Sequence, residues 1–250
     1  MRHFGLIGKT LQHSFSAKYF REKFLSENVQ NCSYSLFELG DLAGLPALIE
    51  SLPNLEGFNV TIPYKKSIIP YLDFLDNVAF EVGAVNTVRI VRSAGKYLLK
   101  GFNTDVIGFL LSTNEFQNVS GALILGTGGG AEAVAYVFKK LKIPYFIVSR
   151  NLRSHQIIGY EDLTKEMIRD YPMIVNSTPL GMFPDVDLMP PINYDFLTEK
   201  NFLYDLIYNP AETQFLKKGK QVGAKVMNGL KMLQIQADKS WEYWNTNVYE

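Results

Sequence analysis

Short apolar runs alternate with stretches in which apolar residues recur at helical spacing, from one end of the chain to the other. That alternation predicts an α/β protein with mostly parallel strands. Phe4–Gly8 reads as a strand, and Ser16–Leu25 as a helix that turns Tyr19, Phe20 and Phe24 toward a core. Ser33–Leu39 alternates like a strand and Asp41–Ser51 is helical in pattern. Gly57–Ile62 is strand-like until Pro63, which has no N–H to give to a ladder. Val85–Val91 and Lys96–Gly101 pair as a hairpin around Ser93-Ala94-Gly95. Asn103-Thr104-Asp105 supplies capping residues for a helix carrying Ile107 and Phe109–Leu111.

Beyond that helix the pattern changes. Ala122–Leu125 is a buried run that feeds directly into "GTGGGAEAVAYVFKKL", and Tyr145–Val148 is the next buried run. Met173–Asn176 and Phe202–Leu206 follow, with the proline-rich "FPDVDLMPPINYDF" between them as a surface loop. Leu230–Trp244 reads as a terminal helix with Met232, Leu233, Ile235 and Trp241 available for packing. The expectation is two domains: an N-terminal α/β substrate domain, residues 1–104 plus 227–250, and a Rossmann-type dinucleotide-binding domain, residues 105–226. The C-terminal helix returns to the first.

The glycine segment carries the first chemistry. Gly126, Gly128 and Ala131 fit G-x-G-x-x-G/A between a strand and a helix, with Gly129 beside them. The first glycine lets the chain turn, the second admits a pyrophosphate to the backbone, and the small third residue lets helix and strand pack closely. The phosphates would meet the amides of a helix N-terminus, where aligned peptide dipoles favour anions. The following strand ends in Ser149-Arg150-Asn151 with Arg153 close behind. No carboxylate stands there to bond the ribose hydroxyls of NAD or to repel a 2′-phosphate, and a guanidinium can grip a phosphate with two parallel bonds. NADP is the expected cofactor.

Composition narrows the remaining classes. Hydrophobic residues make up 47% of the 250, too many for a disordered chain. Lys+Arg and Asp+Glu both number 25, so no net charge draws the protein to nucleic acid or to a lipid surface. Cys32 is the single cysteine, which leaves no intrachain disulfide and suits a reducing, cytoplasmic setting. The first residues, with Arg2 and His3 but no long apolar run after them, read as neither signal peptide nor membrane span. His3, His13 and His155 lack metal-ligand spacing, so no metal is expected. His13 beside two serines invites a hydrolase reading, but no nucleophile elbow accompanies it. Tyr19/Lys23 and Tyr136/Lys140 match the spacing of a short-chain dehydrogenase pair only by chance, since one precedes the glycine segment and the other leaves it.

If the second domain holds the nucleotide, the first holds what is oxidised or reduced. Ser14 and Ser16 open a helix, where hydroxyls and amides suit a carboxylate or simply cap the helix. Asn86, in the apolar "AVNTV", needs partners, found in a polyol ligand or in neighbouring backbone. Asp105 reads as an N-cap or as a catalytic carboxylate, and Gln236 is equally open. Lys65 follows the strand that Pro63 stops, and an ammonium there can stabilise an alkoxide or relay its proton. Lys66 is read as the solvated neighbour.

Taken together, "GKTLQHSFSA", "GFNVTIPYK", "GAVNTV", "GFNTD", "GTGGGAEAV", "NSTPLGM", "YDLIYNP" and "GLKMLQIQA" resemble the shikimate dehydrogenases, in order and over nearly the whole chain. The resemblance implies NADP-dependent interconversion of 3-dehydroshikimate and shikimate in the pathway to aromatic amino acids. It casts Lys65 and Asp105 as the catalytic pair and gives the substrate carboxylate to Ser14 and Ser16. Thr61, Asn86, Tyr208 and Gln236 would contact the carboxylate or the ring hydroxyls. Small-molecule substrates, with no nucleic acid and no membrane, are the implied partners of a monomer or homodimer. The chain departs from the family at Thr10 and Ala17, where prolines are usual, and at Val106, where a glycine is common. Glu132 stands where the family is often basic or small, and Ser149 and Asn151 flank the retained Arg150. A quinate/shikimate dehydrogenase using NAD is the near alternative, and a non-catalytic dinucleotide sensor the distant one.

Overall fold

The computed structural model describes residues 1–12, 14–116, 118–151 and 153–246; His13 lies outside them. The chain forms two compact units, Met1–Thr104 with the chain from Gln236 onward, and Asp105–Ile235. In the first, the order is β1 (Arg2–Gly8), α1 (Ser16–Ser26), β2 (Cys32–Glu38), α2 (Leu45–Ser51), β3 (Leu55–Val60), α3 (Tyr64–Ser67), β4 (Phe74–Leu75), α4 (Asn77–Val82), β5 (Thr87–Ser93) and β6 (Lys96–Phe102). In the second it is α5 (Asp105–Ser112), β7 (Ala122–Leu125), α6 (Gly129–Lys140), β8 (Tyr145–Val148), β9 (Ile157–Ile158), α7 (Lys165–Asp170), β10 (Met173–Asn176), β11 (Phe202–Asp205), α8 (Gln214–Gln221) and β12 (Lys225–Met227). Helix α9 (Leu230–Asn245) gives its opening residues to the second unit and those from Gln236 to the first. The domain change expected near Val226 therefore falls within α9, because Val226 lies in β12 and packs with Leu203 and Phe215 of its own unit. Among the described residues no helix is long and apolar enough to cross a membrane.

The first unit holds a mixed six-stranded sheet in the order β2-β1-β3-β5-β6-β4. β1 runs parallel to β2 and β3, whereas β5 pairs antiparallel with both β3 and β6. The β5–β6 hairpin closes over Ala94 and Gly95, both at positive φ (48° and 75°), a backbone geometry that suits the right-handed strand twist. Side chains alternate across the sheet. Phe58 and Val60 of β3 and Val88 and Ile90 of β5 enter one core with Ile7, Leu45 and Ile49. The intervening positions meet α9 and α1, where Phe4, Phe20, Phe24 and Trp244 form a second cluster. Gly57 makes this approach possible. A Cβ there would stand 2.4 Å from the Trp244 indole, and that indole donates to the Val88 carbonyl at 3.0 Å.

The second unit is a parallel sheet whose order, β12-β11-β10-β7-β8-β9, is the 3-2-1-4-5-6 arrangement of dinucleotide-binding folds when numbered from β7. Both faces are covered. Ala122, Ile124, Val175 and Tyr204 pack under α5 and α6 with Phe109, Val134 and Phe138. Leu123, Leu125, Ile174 and Leu203 pack on the opposite face with Ile168, Phe215 and Leu216. The near-continuous apolar runs in the sequence follow from this double burial.

Candidate active site

The first unit gathers a group of buried polar side chains where β3 and β5 meet α9. Asn59, Asn86, Thr87, Thr104, Gln236 and Ser240 are all buried. Asn59 donates from Nδ2 to Ser240 Oγ (2.9 Å), and its Oδ1 accepts the Tyr34 hydroxyl (2.9 Å). Thr87 and Ser240 share a hydrogen bond of 2.7 Å. Asn86 Oδ1 accepts the Thr104 amide at 2.7 Å, and its Nδ2 donates to Thr104 Oγ1 (2.9 Å) and Gln236 Oε1 (3.2 Å). Two of the residues expected to touch substrate, Asn86 and Gln236, are thus hydrogen-bonded neighbours 150 positions apart in sequence. Asn86 precedes β5 rather than lying on it, because its amide bonds Phe102 and its carbonyl bonds Val60 just where the ladder begins.

The other expected substrate residues of this unit sit on its turns. Strand β3 stops at Val60, earlier than expected, and Ile62 is exposed. Beyond the Thr61 amide, which still bonds Ile7, the chain closes a turn from Tyr64 N to Thr61 O at 2.9 Å. Lys65 therefore rides on the short helix α3 rather than on a bare strand end, half-buried, with its carbonyl held by the Val85 amide at 2.7 Å. Lys66 is exposed. Ser16 starts α1, but Phe15 occupies the N-cap and no side chain caps it. The Ser14 hydroxyl instead accepts the Ser16 amide across a local turn at 3.3 Å. Helix capping therefore does not account for both serines.

In the second unit, Asp105 is a buried carboxylate in the first turn of α5. Tyr208, half-buried, follows β11. The glycine segment lies where the strand order reverses, between β7 and its neighbours β8 and β10. Gly126 adopts φ +109°, which side chains other than hydrogen rarely permit. Gly128 is the N-cap of α6, without a side-chain cap, and no atom lies within 4 Å of where its Cβ would be. Gly129 opens the helix and Ala131 is buried against the sheet. An open glycine cradle over uncapped helix amides fits a pyrophosphate. Past β8, Arg150 is exposed and Ser149 is buried, its Oγ accepting the Asn151 amide at 3.3 Å. Arg150 is near enough to Tyr160 to oppose the upward push that burial gives its phenol. Arg153 donates to the Ser149 carbonyl at 2.9 Å and is ion-paired with Glu161, so it braces the loop as well as flanking Arg150.

One residue in this unit escaped notice in the sequence. Asp205, fully buried at the end of β11, accepts from Thr213 Oγ1 (2.6 Å), the Ile207 amide (3.0 Å) and Asn176 Nδ2 (3.1 Å). Burial pushes its carboxyl up to about 6, against those three donors. Asn176 and Asp205 end adjacent strands in "NSTPLGM" and "YDLIYNP", so this clasp ties together the two loops that leave β10 and β11, and the second of them bears Tyr208. Polar residues at the close of consecutive apolar runs were the available signal. Thr87, Thr104 and Asn59 were likewise visible inside the quoted motifs, while Ser240 lay outside all of them.

Comparison with known proteins gives the geometry its context. Residues 6–88 match the shikimate dehydrogenase substrate binding domain. One relative, the shikimate dehydrogenase (NADP(+)) of Clostridium beijerinckii, is 40% identical over 98% of this chain and 92% of its own length. Shikimate dehydrogenase 1 from Peptoclostridium difficile superposes with a TM-score of 0.85 at 35% identity, covering 99% of this chain and 93% of that one. Shikimate 5-dehydrogenase from Thermus thermophilus, solved in complex with NADP(H) and shikimate, gives a TM-score of 0.83 at 28% identity, covering 98% and 94%. With full-length relatives at this level of identity and both units matched in fold, the chain belongs to the shikimate dehydrogenase family.

Proposed function

We propose that this protein reduces 3-dehydroshikimate to shikimate with NADPH, reversibly, as a step toward aromatic amino acids. The observation that carries the reading is the 40% identity to an NADP(+) shikimate dehydrogenase over 98% of the chain. The residues that the chemistry needs stand in their motifs. The glycine cradle and α6 amides would hold the pyrophosphate, and Arg150 the 2′-phosphate, with Ser149, Asn151 and Arg153 shaping the loop. Bound there, NADPH supplies the hydride that goes to the carbonyl carbon. The protein's own work is on the oxygen. The Lys65 ammonium stabilises the negative charge that develops as the carbonyl becomes an alkoxide, and Lys65 and Asp105 handle the proton that completes the hydroxyl. Ser14 and Ser16 bind the carboxylate, and Thr61, Asn86, Tyr208 and Gln236 contact the carboxylate or the ring oxygens. A cytoplasmic setting, with Cys32 kept reduced, goes with this reading.

Absorbance at the nicotinamide band tests it directly. NADP with shikimate is expected to give turnover, and exchanging NADP for NAD, or shikimate for quinate, to lower kcat/KM. No turnover with shikimate and either nucleotide would overturn the assignment, and preference for quinate with NAD would move the protein to the neighbouring branch.

A further inference from the structure

Where β7 gives way to the glycine turn, one residue of the neighbouring strand's exit loop bonds the same carbonyl twice. The Ser177 amide donates to the Leu125 carbonyl at 2.9 Å, and the Ser177 hydroxyl donates to the same oxygen at 2.6 Å. A carbonyl only accepts, so the direction of the hydroxyl hydrogen is settled. On the other side of that peptide, the Gly126 amide donates to the Val148 carbonyl at 2.9 Å. The Leu125–Gly126 peptide is therefore gripped from both neighbours of β7 at the point where the chain turns out of the sheet, Gly126 standing at φ +109°. Ser177 also bounds the turn sterically. A Cβ on Gly126 would stand 2.9 Å from Ser177 Oγ and 3.1 Å from Thr178 Cγ2, so the turn lies directly against these two side chains. The helix side of the cradle has its own anchor, since the Gly128 carbonyl accepts the Glu132 amide at 3.2 Å as α6 begins.

Ser177 is itself held in place by its predecessor. Asn176 Oδ1 accepts the Thr178 amide (3.0 Å) and the Thr178 hydroxyl (2.6 Å), while Nδ2 donates to the Leu180 carbonyl (3.3 Å) and to Asp205 Oδ1 (3.1 Å). A backbone amide only donates, so the Thr178 N–H fixes which end of the carboxamide is which, and all four of its hydrogen-bonding positions are filled. The loop thus wraps around Asn176, is tied to β11 through Asp205, and presents Ser177 to β7.

We propose that Ser177 is a positioning residue for the nucleotide: its hydroxyl, donated to the Leu125 carbonyl, sets the tilt of the Leu125–Gly126 peptide and so the place where the glycine cradle and the first amides of α6 meet the pyrophosphate. The inference deepens the cofactor part of the function proposed above and rests on it. A pyrophosphate is common to NADP and NAD, whereas the 2′-phosphate falls to Arg150 in that reading. Ser177→Ala keeps the amide's bond to Leu125 and removes only the hydroxyl's bond and the oxygen that bounds the turn.

Calorimetric titration of the full chain, without shikimate, reads the effect apart from turnover. Ser177→Ala is expected to raise the Kd for NADPH and for NADH by the same factor, about five-fold, as for the loss of one neutral hydrogen bond. The Kd for adenosine 2′-monophosphate, which carries no pyrophosphate, should stay as in wild type. In steady state, kcat at saturating NADP and the KM for shikimate should remain within about two-fold of wild type. Ser177→Thr, which keeps the donor, is expected to bind both reduced nucleotides as wild type does. A merely structural role would weaken all three ligands together, and that result overturns the positioning role. So does wild-type affinity for NADPH in Ser177→Ala, or a loss in Ser177→Thr equal to that in Ser177→Ala. A wild-type protein that binds neither NADPH nor NADH overturns instead the reading on which the inference rests.

Discussion

The two sheets handle polar groups at their functional ends in opposite ways. In the second unit the groups that would meet the pyrophosphate belong to the main chain: the Gly126 turn, the open Gly128 position and the uncapped amides of α6. Side chains enter past β8, where exposed Arg150 would take the 2′-phosphate. In the first unit β3 and β5 pair with each other in the sheet, and the polar work falls to buried side chains drawn from β3, β5, the segments before β5 and before Asp105, and α9. A backbone site takes its contacts from one contiguous stretch of sequence and tolerates any residue small enough. A side-chain site needs specific residue types from distant positions and a network to orient them. The second solution gives selectivity for one small molecule; the first serves a cofactor shared by many enzymes.

The largest effect expected on either side of that contrast is at Lys65. Lys65→Ala should lower kcat by about 10²–10⁴-fold, the range of a lost acid–base or charge-stabilising group, with little change in the KM for shikimate. Steady-state kinetics at saturating NADP measure this. Unaltered turnover would remove the side-chain half of the contrast, since no reacting group would then come from the first unit.

The next effect is on stability and belongs to the second unit. Burial lifts the Asp205 carboxyl from 3.8 to about 6, so between those values the folded unit keeps a proton that the unfolded chain has lost. Its contribution to stability is full below about pH 4 and declines as pH rises through about 6. The decline amounts to on the order of 3 kcal/mol by neutral pH. Asp205→Asn keeps a neutral group there at all pH values, and the Thr213 hydroxyl can accept as readily as it donates. The variant's melting temperature should therefore gain on wild type as pH is raised from 4 to 7. Parallel profiles would mean that Asp205 is already ionised at the lower pH, and that the three donors outweigh burial.

The contrast also explains what could be read from the sequence. Strand, glycine turn and helix follow one another in "ALILGTGGGAEAV", and the doubly buried strands betray themselves as unbroken apolar runs, so the second unit was legible down to its turn residues. In the first unit the elements were legible but the connections were not. Nothing near Asn86 announces that its partner is Gln236, and nothing in "ADKSWEYW" marks Ser240 as an acceptor for Asn59. Hydrogen-bond networks form between residues that are close only after folding, and a single sequence carries no periodicity for them. Strand β3 was over-extended to Ile62 for a related reason, because an alternating apolar residue looks the same whether the ladder continues or has already turned.

A smaller effect separates the two nucleotides. Arg150→Ala should raise the KM for NADP about ten-fold, as expected for loss of charge-assisted bonds to a phosphate, and leave that for NAD nearly unchanged. Equal shifts for both would detach Arg150 from the 2′-phosphate and leave coenzyme choice to the backbone cradle.

The finest test concerns Arg153, whose guanidinium is shared between the Ser149 carbonyl and the Glu161 carboxylate. If Arg153 merely braces the loop, Glu161→Gln should leave the KM for NADP untouched, because the bond to Ser149 persists. If it also serves the nucleotide, Glu161 competes with the phosphate for it, and releasing that competition should lower the KM for NADP. The pair is exposed to solvent, so the gain is at most about five-fold, and it should fade as salt screens the carboxylate in the wild type. We expect that small, salt-dependent gain for NADP and none for NAD. This would place a second side chain beside Arg150 in a site whose pyrophosphate end is built from backbone.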